Sequence, residues 1–329
     1  MTISLGILST AHGHANSYAA VSENVEDAEV VAVADDDETR GREFADRHGI
    51  DFRPIEKVLD RVDAVIVCSE NARHIEWVKR AAAAGVDVLC EKPLATSGSD
   101  AEAIVDACTE AGVRLGVAMP VRFAEPARHA KAAIEAGNVG TVQAFVGTNL
   151  LKLKAEGWMV DPALSGGGAI MDHSVHIIDL VRWMSCQEVV EVYAEAGPAF
   201  SDTPVEDVDV LSMTLEDGTP ATHDGSWRQP TEWDFWGDVT LRIIGTDGVI
   251  EIDCFDQTLK HTHDGGDDPG IDSLYWGSNM DEGLIRDFVA AIRDDREPAI
   301  PGREGAREVR VVDAAYESID TGQPVRIEY

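Results

Sequence analysis

The chain has 329 residues, too many for one ordinary domain and suited to two, each able to bury its own core. Its hydrophobic content of 44% is that of a soluble globular protein, and no run of about 18 apolar residues is present to span a membrane. With 61 acids against 27 bases the formal net charge is −34, which excludes nucleic acid as a partner, because phosphate binding needs a basic surface.

The acids run through the whole sequence rather than forming a tail, so they predict a folded acidic surface and not a disordered segment. Self-repulsion of this size is tolerated where salt screens it, the Debye length being about 3 Å at 1 M. The expectation is a cytoplasmic protein of a high-salt cell. Cys68, Cys90, Cys108, Cys186 and Cys254 show no paired spacing and read as reduced thiols. The opening MTISLGILSTAHGHA lacks a basic lead and enters a strand at once, so no secretory signal is expected.

Residues 3–9, ISLGILS, are an apolar run fit for a buried parallel strand. A turn of small residues, Ser9 to His14, leads into a helix from Ala15 to about Asn24, and EVVAVADDD forms a second strand ending on Asp35. Strand, turn, helix and strand in that order, with an acid about 20 residues beyond the turn, is a dinucleotide-binding unit. Its glycine fingerprint is eroded, since Ser9, Ala11 and His14 occupy the expected glycine places. Asp35 at the strand tip is read as accepting from a ribose 2′-OH, and Asp36 and Asp37 as repelling a 2′-phosphate, which favours NAD over NADP; Arg40 argues for NADP.

The alternation continues with a helix over Glu38–His48, a strand at 63–69, a helix over Ala72–Ala84 stopped by Gly85, and the strand VDVLCEKP. Ser99 with Glu102 reads as a capping box for the next helix, and RLGVAMP as the last strand of this half. Alternating strands and helices predict a doubly wound parallel sheet over residues 1–121, with its ligand at the carboxyl ends of the strands. Ser9, Asp35, Ser69, Asn71, Glu91 and Lys92 fall at those ends.

In the second half, GGGAIMDHSVHIID (Gly166–Asp179) carries Asp172, His176 and Asp179 at i, i+4 and i+7, one face of a helix if the run is helical. After Met184, apolar and polar residues alternate, and Asp-Gly turns at 217–218 and 247–248 read as hairpins. Residues 122–329 are therefore expected to form an α+β domain with a large open sheet, closed by helices at 281–295 and 303–320. A wide open sheet face predicts an interface. Residues 263–272 read as a surface loop, and Trp227, Trp233 and Trp236 as sheet packing.

From Cys68 to Ala95 the motifs become specific. Asn71, then His74, Ala84-Gly85 and Glu91-Lys92-Pro93 follow in order, joined later by Arg122-Phe123, by GWMVDPALSGGG and by Asp172 and His176 four apart. In these residues the chain resembles the Gfo/Idh/MocA family of NAD(P)-dependent oxidoreductases over essentially its whole length. Glu70 stands where that family has proline, and Met159 where it has arginine.

The resemblance implies a Rossmann domain followed by an α+β domain with a mostly antiparallel sheet, a nicotinamide between them, and association into a homodimer or homotetramer. It implies that Lys92 reaches the oxygen of the reacting carbon, that His176 is the general acid/base, and that Asp172 positions the substrate or the histidine. Together with the strand ends it suggests a cofactor site of Ser9, Thr10, Ala11, His12, Asp35, Asp36, Cys68, Ser69, Asn71, His74, Glu91, Lys92 and Arg122. The small-molecule substrate would meet Lys92, Trp158, Asp172 and His176. The chemistry suits these residue types: hydride removal from a carbinol needs its proton taken or its alkoxide stabilised, and the nicotinamide takes the hydride. Histidine titrates near neutrality, and a lysine ammonium stabilises an anion.

His12 and His14, with His173 and His176, invite a metal reading, but two histidines one residue apart without a third ligand at readable spacing do not predict a metal site. Asp179 is expected to be a structural partner of the helix, and His173 to lie outside the chemistry. Two other functions fit the same motifs: a glycosidase that uses NAD transiently, and a cofactor-binding regulator that has lost catalysis.

Overall fold

The structure is a computed structural model that describes residues 2–152, 156–200, 202–227, 230, 232–233, 236–256, 258–263, 270–275 and 278–329, with backbone alone at 258–263 and 270–275. The chain forms two compact units: Met1–Pro120 with Asp161–Gly167 and Asp281–Asp313, and Val121–Val160 with Gly168–Met280 and Ala314–Tyr329. Each is described separately.

The first unit alternates β1 (Ile3–Leu8), α1 (His14–Ser22), β2 (Ala28–Ala34), α2 (Glu38–His48), β3 (Asp51–Phe52), α3 (Ile55–Leu59), β4 (Ala64–Val67), α4 (His74–Ala83), β5 (Asp87–Glu91), α5 (Gly98–Ala111) and β6 (Leu115–Ala118). Its six strands form one sheet in the order β3-β2-β1-β4-β5-β6, parallel throughout. The reversal of strand order on either side of β1 leaves a crevice at the carboxyl ends, where open α/β sheets bind ligands. β4 and β5 are buried at every residue, as strands covered on both faces must be. Asp37 caps α2 by accepting from the N–H groups of Thr39 and Arg40.

One expected boundary shifts here. The cap of α5 is Ser97 rather than Ser99: Ser97 is extended, and its oxygen accepts from the Asp100 N–H. The helix therefore starts at Gly98, which puts Ser99 inside its first turn.

The remaining elements are α6 (Glu125–Glu135), β7 (Val142–Thr148), α7 (Pro162–Ser165), α8 (Val175–Ser185), β8 (Val189–Gly197), β9 (Val208–Leu215), β10 (Pro220–Asp224), β11 (Thr240–Gly245), β12 (Val249–Asp253), β13 (Thr258–His263), β14 (Gly270–Tyr275), α9 (Met280–Arg293), α10 (Gly302–Thr321) and β15 (Val325–Arg326). The sheet of the second unit runs β12-β11-β7-β10-β9-β8-β15, with β7 and β10 parallel and every other pair antiparallel. The alternation read from the sequence is visible in β9, where Asp209, Leu211, Met213 and Leu215 are buried and Val210 and Ser212 exposed. Asp-Gly turns join β9 to β10 and β11 to β12.

The two helical segments expected at the end of the second domain divide differently by packing, since residues 281–313 belong with the first unit. The surface loop expected at 263–272 falls largely on 264–269, outside the described residues; 270–272 begin β14, and His261 and His263 lie in its partner β13. Of the three tryptophans read as sheet packing, only Trp227 is buried, against Ala169 and Val205; Trp233 and Trp236 are exposed. Among the described residues no helix is long and apolar enough to cross a membrane.

Candidate active site

The first turn is built without the glycine that would ordinarily begin it. Ser9 adopts a left-handed φ of 62°, a conformation that an L-residue reaches only at a cost of about 1 kcal/mol or more. The turn is held by Ser9 N–H to the Ala34 carbonyl (2.7 Å) and His12 N–H to the Cys68 carbonyl (2.9 Å). α1 begins with no side-chain cap and no acid in its first turn, which leaves its positive end toward the sheet's carboxyl edge for an anion.

Asp35 is differently placed from a ribose acceptor. Its side chain is fully buried, and its two oxygens accept from Thr10 N and Oγ1, Asp37 N, and Arg40 Nε and Nη2, at 2.7 to 3.0 Å. Burial alone would raise its pKa; the bonds from Arg40, Thr10 and Asp37 outweigh that and hold it low. Asp36 and Asp37 are exposed, and Asp36, 45% exposed, pairs with Arg73 and Arg40. Glu70 lies 3.8 Å from Arg40 and 3.5 Å from Arg73. With Glu76, 3.1 Å from Arg73, four carboxylates thus surround two guanidinium groups.

Cys68 is buried, and its thiol is pushed well up by burial and by Glu91, so it contributes packing rather than a nucleophile. Ser69 is buried, and its hydroxyl donates to the Glu70 carbonyl at 3.1 Å. Asn71 donates to the Ser165 carbonyl at 2.9 Å. His74 lies between the end of β4 and the Glu-Lys-Pro turn, with Nδ1 2.9 Å from the Pro93 carbonyl oxygen and Nε2 3.3 Å from that of Ser69; burial lowers its pKa.

Glu91 ends β5 with its side chain fully buried. Oε1 lies 2.9 Å from His14 Nδ1 and 3.9 Å from His12 Nδ1, while Oε2 accepts from the Lys92 N–H at 3.0 Å. Burial would raise this carboxyl's pKa; His14, His12 and Lys92 instead pull it far below the usual range. His14 is the counterpart: burial lowers its pKa, but Glu91 wins and leaves it raised. The neighbouring Lys92 is itself nearly fully buried.

His12, His14 and Glu91 are the one group of three metal-capable donors among the described residues, their atoms lying within 4.8 Å of one another. His12 Nδ1 accepts from the His14 N–H (3.2 Å), so these donors already satisfy one another.

In the second unit the glycine run leads into a wider turn than the sequence predicts. Ile170–Ser174 coil with i→i+5 geometry before α8 begins at Val175. The cause is visible in Glu206, whose Oε1 accepts from the N–H groups of Gly168 (2.9 Å) and Ile170 (3.2 Å) and from the Tyr316 hydroxyl (2.8 Å). Gly168 must be glycine, since a Cβ there would meet the Glu206 carbonyl oxygen at 1.9 Å. Asp172 lies on the wide turn, with Oδ2 3.1 Å from His173 Nε2. His176 is buried on the first turn of α8, and Trp158 is half-buried on the turn Gly157–Val160.

Arg122, expected at the cofactor, is turned to Asp179: its Nε lies 2.9 and 2.7 Å from the two oxygens and its Nη2 2.6 Å from Oδ1. The guanidinium also lies over the Trp183 ring, 5.5 Å from its centre. Sequence reading gave no place to Glu206, because it caps a helix 36 residues upstream and no local pattern announces that. It set His173 outside the chemistry, since adjacency in the chain does not say that its ring nitrogen faces the Asp172 carboxylate.

Comparison with known proteins gives two matching family models: "Oxidoreductase family, NAD-binding Rossmann fold" at residues 6–119 and "GFO/IDH/MocA C-terminal domain" at 127–251. A D-xylose 1-dehydrogenase (NADP(+)) of Haloferax volcanii is 30% identical over 315 residues, covering 91% of this chain and 92% of the relative. A myo-inositol 2-dehydrogenase of Thermotoga maritima is 27% identical over 326 residues, covering 92% of each chain. Among solved structures, that of GenD2 from gentamicin A biosynthesis in complex with NAD superposes with a TM-score of 0.91 at 24% identity, covering 100% of this chain and 97% of that one.

Proposed function

Because the chain belongs to the Gfo/Idh/MocA family of NAD(P)-binding oxidoreductases, we propose that it oxidises a secondary alcohol of a sugar, polyol or related hydroxylated small molecule, with NAD as its cofactor. The observation that carries this reading is Lys92, a buried lysine at the carboxyl end of a Rossmann strand, beside a carboxylate already neutralised by His14. A lysine ammonium at that strand end is of the charge that stabilises a developing alkoxide. Curated relatives at 27% and 30% identity are named as inositol and xylose dehydrogenases, which supports the substrate class.

The turn residues suit a dinucleotide. The left-handed Ser9, the uncapped start of α1 and the two histidines beside it offer N–H groups and positive character to a pyrophosphate. Bound NAD supplies the hydride acceptor. Lys92 stabilises the oxygen of the reacting carbon, His176 takes its proton, and Asp172 positions that exchange. Asp35, Asp36 and Glu70 outnumber Arg40 and Arg73, which supports NAD over NADP, since a 2′-phosphate would add negative charge to that surplus.

The acidic surface supports a cytoplasmic home at high salt, and exposed Val146 and Val210 on sheet strands support a homo-oligomer. The test is a panel of sugars, inositols and polyols with NAD and with NADP at about 2 M salt, read by NADH absorbance. Net reduction of the cofactor is expected, and would exclude the transient-oxidation glycosidase. No binding of either dinucleotide would end the oxidoreductase reading. Full turnover in His176→Ala would end the acid/base assignment.

A further inference from the structure

The i, i+4 spacing of the sequence pairs Asp172 with His176, and the wide turn also brings Asp172 against the adjacent His173. His173 is 2% exposed, its ring set edge-on to Trp227 at 6.1 Å. Nδ1 lies 3.0 Å from the Gly225 carbonyl oxygen. A carbonyl only accepts, so Nδ1 carries the hydrogen. In a neutral ring that tautomer leaves Nε2 a bare lone pair, and Nε2 is the atom 3.1 Å from the Asp172 carboxylate oxygen. Two acceptors at that separation repel unless a proton lies between them. The oxygen lies off the in-line direction of the ring nitrogen, so the contact is an ion-pair approach rather than an aligned hydrogen bond.

We infer that His173 is a positioning residue for the proposed reaction: its ring, carrying the proton on Nε2, is the counter-ion of Asp172 and so fixes the orientation and charge of that carboxylate. The inference rests on the proposed role of Asp172.

The groups around this dyad are buried with His173. The Gly225 carbonyl is held by close packing, since a Cβ at Gly225 would meet Asp209 Oδ1 and His223 Nε2, each at 2.5 Å. Asp209 and His223 lie 3.6 Å apart and fully buried. Burial, with Glu206 and Asp224, pushes the Asp209 carboxyl well up; burial, with His173, pulls His223 down to about 3. The other groups acting on His173 are Asp172, and Asp238, whose pKa burial raises.

The test follows the histidine side chains of the full chain, labelled with ¹⁵N, through a pH titration of wild type and Asp172→Asn at high salt. The His173 signal is assigned by its loss in His173→Gln, or in His173→Asn, which keeps a donor for the Gly225 carbonyl. Nδ1 is expected to stay protonated throughout, and the Nε2 midpoint to fall by about one pH unit or more when the carboxylate is removed. A midpoint unchanged in Asp172→Asn, or a ring protonated at Nε2 with Nδ1 bare, overturns the inference.

A second arm uses whichever panel sugar turns over. His173→Asn, which cannot reach Asp172, is expected to lose up to about a hundredfold in kcat with little change in KM for NAD, and His173→Gln to recover part of it. If no sugar is turned over, the proposed function fails while the titration still decides the dyad.

Discussion

Arg122 offers the sharpest separation between a structural and a cofactor-binding role. In Arg122→Met the guanidinium is lost while its stem is roughly preserved, and Asp179, 1% exposed, keeps a carboxylate that had been bonded through both oxygens. Removing one partner of a buried pair costs about 3–5 kcal/mol, because the remaining charge must be held in a dry site or protonated there. For a unit of this size each kcal/mol lowers the melting temperature by about 2–4 °C, so a loss of about 6–20 °C is expected. Salt does not rescue it, since buried pairs are screened far less than exposed ones. Replacing both partners, in Arg122→Met with Asp179→Leu, should recover most of the loss, because paired apolar residues of similar volume often equal a buried ion pair. The assay is thermal melting by circular dichroism at high salt, with NADH binding by fluorescence on the same samples. If Arg122→Met melts within about 2 °C of wild type and loses NADH affinity, the arginine serves the cofactor and the structural assignment is refuted.

Gly168→Ala drives a methyl into the Glu206 carbonyl oxygen and should cost at least the 1–3 kcal/mol typical of overpacking, whereas Gly13→Ala meets nothing within 4 Å and should leave stability near wild type; urea midpoints compare them, and equal midpoints would discard the Glu206 clamp. The His14–Glu91 pair gives a signed pH dependence. His14 is raised above its ordinary 6.5, so its contribution is complete below that value and is lost as pH rises through the folded pKa; Glu91 is depressed from 4.5, so its contribution is complete above 4.5 and is lost as pH falls. The destabilisation caused by His14→Gln should therefore be larger near pH 6 than near pH 8.5, by a modest amount because His14 is 38% exposed; a difference independent of pH would remove the ion pair from the account. NADH should bind more tightly than NADPH, by about tenfold if the surplus carboxylate near Arg40 and Arg73 decides it, and tighter NADPH binding in a fluorescence titration would reverse that assignment.

Much of the fold is legible because its signals are local. Continuous apolar runs such as AVIV, and VLC between Asp87 and Glu91, mark strands buried on both faces, and the alternation in VDVLSMTL marks a strand with one open face. The motif residues Asn71, Glu91, Lys92, Asp172 and His176 are likewise readable by order and spacing. Their surroundings are not. Asp35 reads as a free strand-tip acid, but Arg40, five residues on, closes on it together with Thr10 from another strand's end. Asp172 and His176 read as one helical face, but that reading assumes an α-helical turn, and Glu206 widens the turn from the far side of the sequence.

The sequence by itself determined the two-part architecture, the family and the residue types available for chemistry, because periodicity, turn residues and motif spacing are properties of neighbouring positions. Only the tertiary structure decided which of those groups are occupied and by what. Arg122 belongs to Asp179, Asp35 to Arg40 and Thr10, and Asp172 to His173, since hydrogen-bond partners and burial depend on which distant segments fill the space around a side chain.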